Sequence, residues 1–146
     1  MAPVIRPLQN QDKVAWQKLW RAYLAFYETT LDQSIYDTTF ARLTSPDHPH
    51  QNAFIALQND HAVGLVHYIY HAHNWRSENV TYLQDLFADP TARGQGIGRA
   101  LIQAVYDAAD ANGTPTVYWL TQDFNAPARQ LYDRIATLTP FVKYSR

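Results

Sequence analysis

The stretch Arg93-Gly94-Gln95-Gly96-Ile97-Gly98-Arg99 decides how the rest of the chain is organised. It follows a segment rich in β-branched and aromatic residues and precedes one with apolar residues at helical spacing, so it is predicted to join a strand to a helix. The first N–H groups of a helix lack carbonyl partners and lie at the positive end of the helix dipole. Because the glycines let the backbone come close to a ligand and Arg93 and Arg99 add charge, the loop predicts a site for an anion such as pyrophosphate.

Two other kinds of glycine loop do not fit this stretch. A dinucleotide-binding loop follows the first strand of a doubly wound sheet and has an acidic residue about 20 positions later, which is not the setting found here. A P-loop ends in Gly-Lys-Ser/Thr, whereas this loop continues as Gly98-Arg99-Ala100. An ordinary strand-to-helix turn is the remaining alternative.

The segments on either side of the loop predict a mixed sheet. Upstream, residues 54–57, 63–70 and 80–88 are rich in β-branched and aromatic residues and predict an antiparallel meander. Downstream, a helix should end at Asn112-Gly113, and residues 117–120 should form the next strand. A strand-helix-strand connection of this length is a crossover, so its two strands should be parallel.

The N-terminal third predicts one strand and two helices. Residues 4–8 form a short strand, and the polar residues 10–12 can cap a first helix. That helix has its large apolar side chains on one stripe: Trp16, Leu19, Trp20, Tyr23 and Tyr27. Ser34 and Asp37 have the spacing of a capping box, and Ile35, Phe40 and Leu43 continue with helical spacing, which predicts a second, shorter helix.

The C-terminal part predicts a last helix and a last strand. Asn125 can cap a helix with Pro127 in its first turn, and residues 141–144 should close the fold as a strand. The predicted order is β-α-α-β-β-β-α-β-α-β, a single α/β domain over residues 1–146.

Composition excludes several classes of function. The chain has 146 residues, a formal net charge of −1 and no cysteine. The near-neutral charge argues against a nucleic-acid binder, and the lack of cysteine excludes disulfides, a thiolate nucleophile and cysteine metal sites. Because no apolar run approaches the length of a membrane span or a signal peptide, we expect a cytoplasmic protein without a membrane partner.

The motif Arg93-x-x-Gly96-x-Gly98 resembles the acetyl-CoA pyrophosphate motif of the GNAT superfamily of N-acetyltransferases. Residues 82–88 and 125–132 match the neighbouring core blocks of that family in order and spacing. The likeness is strongest to the diamine and polyamine acetyltransferases and to the small histone acetyltransferase-like enzymes, and it includes Tyr27-Glu28.

The resemblance implies a role for each matching residue. The fourth and fifth strands would splay apart, so that backbone groups of the fourth strand bind the pantetheine arm and one N–H polarises the thioester carbonyl. Tyr132 matches the general acid that protonates the leaving thiolate. The implied acetyl-CoA contacts are Leu86, Phe87, Ala88, Arg93, Gly94, Gln95, Gly96, Ile97, Gly98, Arg99 and Asn125.

One departure from the family concerns the base that deprotonates the acceptor. Where the polyamine enzymes have a glutamate, this chain has Gln84, whose amide cannot take a proton at neutral pH. Asp85 is adjacent but should point to the opposite face of the strand, because strand side chains alternate. Glu28 acting through water is the preferred catalytic substitute, with direct proton loss to solvent as the alternative.

The predicted acceptor is a small cationic amine or polyamine near Tyr27, Glu28 and Gln84, attacked directly in a ternary complex. Its motivation is the acidic group Glu28, Asp32 and Asp37, although such a group can also serve solubility alone. A histone-type lysine acetyltransferase and a non-catalytic acyl-CoA sensor are the alternatives. Dimeric members of the family favour a homodimer.

Histidines raise the separate question of a metal. His67, His71 and His73 share one side of an extended strand, and His48 and His50 lie in a loop. No carboxylate or cysteine shares their spacing, so we expect no metal and place these histidines at the acceptor pocket or in solvent.

Overall fold

The computed structural model describes residues 2–146 as one mixed sheet with helices on both faces. The elements in chain order are β1 (Val4–Pro7), α1 (Lys13–Phe26), α2 (Gln33–Leu43), β2 (Gln51–Gln58), β3 (His61–His71), β4 (Val80–Ala88), α3 (Ile97–Asn112), β5 (Val117–Tyr118) and α4 (Ala126–Ile135). Single 3-10 turns lead into α1 and follow β4. The predicted α/β class is confirmed. Within residues 2–146, no helix has the length and apolar character needed to cross a bilayer.

The sheet has the order β1-β2-β3-β4-β5. The first four strands are antiparallel neighbours, which confirms the meander, and β5 lies parallel to β4, which confirms the crossover through α3. The β2–β3 turn uses Asn59 and Asp60, both with positive φ. These two residue types tolerate the left-handed region better than most, so the tight turn is encoded locally.

Two apolar cores lie on the two faces of the sheet. The first, under α1 and α2, is built from Leu8, Trp16, Leu19, Trp20, Tyr36, Phe40, Ala53, Ile55, Leu65 and Phe87. The second, under α3 with α4 beside it, is built from Ala56, Val66, Tyr68, Leu83, Ala92, Ile97, Leu101, Ile102 and Val105. Gly64 of β3 allows α3 to lie this close, because a Cβ at that position would be 2.8 Å from both Ile97 Cγ2 and the Phe87 carbonyl oxygen.

The second helix corrects the sequence prediction in two details. It begins one residue after Asp32, so Ser34 lies inside it and is not its cap. Asp37 accepts hydrogen bonds from Lys13 Nζ at 2.8 Å and Gln33 Nε2 at 3.0 Å instead of closing a capping box. Tyr36 faces the core, whereas Ile35 is exposed. Phe40 is buried and Leu43 packs against the same core, in agreement with their helical spacing.

The C-terminal strand prediction is wrong for the isolated chain. Residues 141–146 are exposed and form no strand, and β5 is limited to Val117 and Tyr118. A strand needs a hydrogen-bonded neighbour, and β5 offers only a short edge. Local β propensity in Phe141, Val142 and Tyr144 is therefore not enough to form the predicted tenth element.

Candidate active site

The fourth strand leaves one edge open where it passes the centre of the molecule. Its pairing with β5 is limited to Thr81 with Val117 and Tyr82 with Tyr118, so the two strands separate after that point. On the other side, β4 stays paired with β3 as far as Ala88. The predicted splay is thus present, and the backbone of residues 83–88 has an edge that β5 does not fill.

The glycine loop lies at the end of this open edge. Gly94 and Gly96 have φ values of 81° and 75°, which favour glycine, and α3 starts directly after Gly96. Ala100 N donates to the Gly96 carbonyl at 3.0 Å, which leaves the earlier N–H groups of the helix without intrahelical partners. Apart from the glycine itself and its chain neighbours, no atom lies within 4 Å of a Cβ built at Gly94 or Gly96, so these positions face open space.

Tyr132 of α4 is positioned by packing against Trp119, with ring centroids 5.4 Å apart. Burial, and then the nearby phenol of Tyr27, raise the pKa of Tyr132 to about 12. The hydroxyl is therefore a neutral donor over the ordinary assay range. Asn125 precedes α4 as predicted, but its side chain makes no capping hydrogen bond.

The end of α1 brings Tyr27 and Glu28 to the same region. Tyr27 packs against Tyr23 with ring centroids 5.1 Å apart and is within electrostatic reach of Tyr132. Glu28 is exposed and has a φ of 55°, a conformation in which helices commonly end on glycine. A carboxylate is also unfavourable at the negative end of a helix dipole. Glu28 thus goes against two local rules of stability, which is typical of a functional position.

The side chains of Gln84 and Asp85 do not alternate across the strand as the sequence predicted. In the β3–β4 register, His67 is opposite Asp85 and Tyr68 is opposite Leu83. No residue of β3 is opposite Gln84, which therefore forms a β-bulge. Such a bulge breaks the period of two. Both side chains consequently line one pocket of about 130 Å³ between the sheet, α1 and α2. The expectation that Asp85 faces away from Gln84 is wrong.

His67 is buried, so of the two predicted places for the histidines, solvent does not apply to it. Its Nδ1 is 2.8 Å from Asp85 Oδ2, and Trp16 Nε1 donates to its Nε2 at 2.9 Å. The same ring still reaches the pocket beside Gln84 and Asp85. A sequence signal existed, since His67 stands at an inward position of a strand that is otherwise apolar, but it did not identify the partners.

The other predicted histidines remain near the surface. His71 Nε2 is 2.7 Å from the Tyr118 hydroxyl, and the Tyr118 ring stacks on Tyr82 at 4.9 Å. His73 packs against Trp75 in the β3–β4 turn. In the part of the chain that the structure describes, no three His, Asp or Glu side chains are arranged to hold a metal ion.

A larger hollow of about 360 Å³ lies at the far end of the sheet, against Gly113 and Glu78. It includes His50 but none of the predicted catalytic or cofactor residues. The open strand edge, the glycine loop, Tyr132 and Tyr27 therefore define the candidate site.

Comparison with known proteins agrees with this arrangement. Residues 15–136 match the model of the acetyltransferase (GNAT) family. The chain belongs to the GNAT family. It is accordingly an acyltransferase of the N-acetyltransferase type.

Three proteins illustrate the similarity. The D-amino-acid N-acetyltransferase HPA3 of Saccharomyces cerevisiae is 38% identical over 144 residues, which cover 98% of this chain and 89% of that protein. Thialysine N-epsilon-acetyltransferase of Bos taurus is 34% identical over 70 residues, or 48% of this chain and 41% of that protein. The structure of AAC(6')-Iy with a CoA bisubstrate analogue has a TM-score of 0.86 and 19% identity, and covers 100% of this chain and 98% of that one.

Proposed function

We propose that this enzyme transfers the acetyl group of acetyl-CoA to a primary amine of a small molecule by direct attack in a ternary complex. The open edge of β4, between the glycine loop and the Tyr132 phenol, carries the proposal. Backbone groups along an edge that β5 does not fill can bind an extended ligand, the glycine loop at the end of that edge can hold an anion, and the phenol can donate a proton. The lack of cysteine removes the usual thiol for an acyl-enzyme, which favours sequential kinetics.

The residues present fit acetyl-CoA as the acetyl donor. The backbone of Leu86, Phe87 and Ala88 would pair with the pantetheine arm along the open edge of β4, and Asn125 would contact the same arm. The loop amides would hold the pyrophosphate, with charge from Arg93 and Arg99: Gly94, Gln95, Gly96, Ile97, Gly98 and Arg99. A thioester carbonyl bound there can be polarised by a strand N–H.

The chemistry then needs two protons removed from the acceptor nitrogen and one supplied to the leaving thiolate. The acceptor ammonium must lose a proton before its lone pair attacks the thioester carbon, and the C–S bond breaks as the C–N bond is completed. Tyr132 would donate its hydroxyl proton to the thiolate that leaves. Its raised pKa, about 12, supports this role because the phenol stays protonated until the thiolate appears.

The acceptor class is proposed from the pocket and the relatives. The proteins of 38% and 34% identity are named for D-amino acids and thialysine, both small amines, which favours a small molecule over a protein lysine. Tyr27, Glu28 and Gln84 would form the acceptor side, and Glu28 would attract the cationic group. Asp37 would contribute less to attracting the cationic acceptor than its place in the acidic group suggested, because Lys13 Nζ lies 2.8 Å from its carboxylate.

An acceptor panel tests the proposal directly. Thiol release from acetyl-CoA should be seen with at least one member of a set of D- and L-amino acids, thialysine, polyamines, aminoglycosides and histone peptides. Small amines should exceed the peptides in kcat/KM. Binding of acetyl-CoA without thiol release from any amine would support the acyl-CoA sensor instead, and preference for the peptides would support the lysine acetyltransferase.

Removing the charge of Glu28 should raise the KM for a cationic acceptor. In Glu28→Gln, we expect an increase of about twofold to fivefold, since an exposed ion pair contributes up to about 1 kcal/mol. The effect should shrink with added salt. If Glu28 also takes the proton through water, kcat should fall and its acidic pH limb should change.

Two matched variants separate the contributions of Glu28. Asp107→Asn on α3 makes the same charge change outside the site and should leave KM unchanged. Glu28→Gly relieves the positive φ and should increase the free energy of unfolding by up to about 1 kcal/mol while KM rises. Equal KM values for Glu28→Gln and the wild type would remove Glu28 from the site.

We also propose a homodimer in which a second copy covers the C-terminal segment. Phe141, Val142 and Tyr144 are 75% exposed or more, and β5 ends the sheet with an unpaired edge. Pairing of these segments between copies would form the strand that the isolated chain lacks. Light scattering should give twice the mass of 16.8 kDa. A cytoplasmic location remains a prediction.

A further inference from the structure

The buried histidine of β3 carries a hydrogen bond at each ring nitrogen. Trp16 Nε1 lies 2.9 Å from His67 Nε2, and Asp85 Oδ2 lies 2.8 Å from His67 Nδ1. An indole N–H can only donate, so Nε2 must be the acceptor. The ring proton is therefore on Nδ1 and is donated to the carboxylate. Because Trp16 is fully buried, this tautomer is fixed by the core.

This arrangement holds the carboxylate without neutralising it. Protonating His67 at Nε2 would set two N–H donors against each other, so the ring is a neutral donor and not a proton relay. The Asp85 side chain is 13% exposed and reaches the pocket that Gln84 also lines. Its position is thus set by β3 and α1 together, on the side where the acceptor is proposed to bind.

The groups around Asp85 leave its charge uncompensated. Tyr23 of α1 and Tyr82 of β4 both feel its charge, and burial and that charge raise their pKa values, so both phenols are neutral. Tyr132 of α4 is neutral as well, whereas α2 and β2 supply only side chains that do not titrate: Thr39, Leu43, Gln51 and Asn52. Across residues 2–146, the ion pairs include no Lys or Arg on Asp85. A largely buried carboxylate without a counter-cation favours an ammonium ligand.

We propose that Asp85, positioned by the Nδ1–H of His67, binds the acceptor ammonium and accepts its proton. This inference rests on the function proposed above and adds the group that Gln84 cannot provide. One proton passes from the ammonium nitrogen to Asp85, and the freed lone pair attacks the thioester carbon. As the C–S bond breaks, the thiolate takes the proton of the Tyr132 hydroxyl, and the second nitrogen proton restores that hydroxyl. Asp85 then returns its proton to solvent, so one proton is released for each acetyl group transferred.

Three variants test the two roles, and the first concerns Asp85 itself. Asp85→Asn keeps the shape but removes the proton acceptor, so kcat/KM for the best acceptor should fall about 10²-fold near pH 7. The difference in kcat/KM between Asp85→Asn and the wild type should become smaller as the pH is raised toward the pKa of the amine, because an amine that is already neutral needs no base. Acetyl-CoA affinity should stay within about twofold of the wild type.

The other two variants form a matched pair at His67. The amide N–H of asparagine can replace Nδ1–H, whereas the amide of glutamine reaches the Nε2 position near Trp16. His67→Asn should therefore keep most of the activity and the wild-type pH profile. His67→Gln should lose about tenfold or more in kcat/KM and approach the pH profile of Asp85→Asn, because the carboxylate is no longer held.

The outcomes distinguish this inference from the function on which it rests. Acetyl transfer by the wild type with no loss in Asp85→Asn overturns the inference alone, as does equal loss in the two His67 variants. If no amine is acetylated by the wild type, both fail. Should a variant not fold, ¹⁵N NMR of the wild-type histidines decides the positioning role: a neutral Nδ1–H tautomer for His67 supports it, and an Nε2–H tautomer or an imidazolium overturns it.

Discussion

Gly96→Asp is expected to weaken acetyl-CoA binding by about 10³-fold, or about 4 kcal/mol. Gly96 precedes the first residue of α3, where the pyrophosphate is proposed to bind. The substitution adds a negative charge at the point where the helix N–H groups would meet a dianion. Isothermal titration of acetyl-CoA measures the loss. We expect the fold to survive, because aspartate tolerates the left-handed region and favours helix N-termini.

Gly113 provides the matched control. It flanks the other end of α3 with a φ of 74°, against 75° for Gly96, and at both positions a Cβ meets no atom within 4 Å. Gly113→Asp therefore carries similar backbone strain and the same charge, but it lies away from the loop. It should bind acetyl-CoA like the wild type. A folded Gly96→Asp protein with unchanged affinity would remove the loop from the donor site.

Tyr132→Phe should lower kcat by about 10² to 10³-fold while acetyl-CoA affinity stays nearly unchanged. The ring and its packing on Trp119 remain, and only the proton donor is lost. Because burial raises the pKa of Tyr132 to about 12, the wild-type rate should show no alkaline fall from this group below about pH 11. Steady-state kinetics with a saturating acceptor measures both effects.

Tyr106 gives the corresponding control for a lost hydroxyl. Its hydroxyl donates to the Ile135 carbonyl at 3.0 Å and ties α3 to α4 without being part of the site. Tyr106→Phe should cost about 1 kcal/mol of stability and leave kcat within about twofold. Equal kcat values for Tyr132→Phe and the wild type would assign the proton on the leaving thiolate to water.

The uncompensated Asp85 carboxylate links the site to the stability of the fold. A buried charge without a cation is costly, and His67, Tyr23 and the bulge at Gln84 hold it in place. A positive-φ glutamate at the end of α1 adds a second local cost. Both features lie where the acceptor is proposed to bind, which is where stability is commonly given up for function.

The sequence by itself determined the features that depend on near neighbours along the chain. Apolar periodicity predicted α1, α2 and α3, and the polar Asn125 with Pro127 predicted the start of α4. Asn112-Gly113 predicted the end of α3, Asn59-Asp60 predicted the β2–β3 hairpin, and the glycine loop pointed to the family. These signals are local, because helix and turn conformations depend on residues within a few positions of each other. Even so, Ser34 lies inside α2 and is not its cap.

Only the tertiary structure decided the parts that depend on register and on distant partners. The bulge at Gln84 arises from the way β4 pairs with β3. Because of the bulge, Asp85 lies on the same face of the sheet as Gln84, whereas regular alternation would place it on the opposite face. His67 meets Asp85 across 18 positions and Trp16 across 51 positions of sequence, so no local pattern could pair them. The last strand failed to form for the same reason: strand pairing requires a partner edge, and propensity within residues 141–144 cannot supply one.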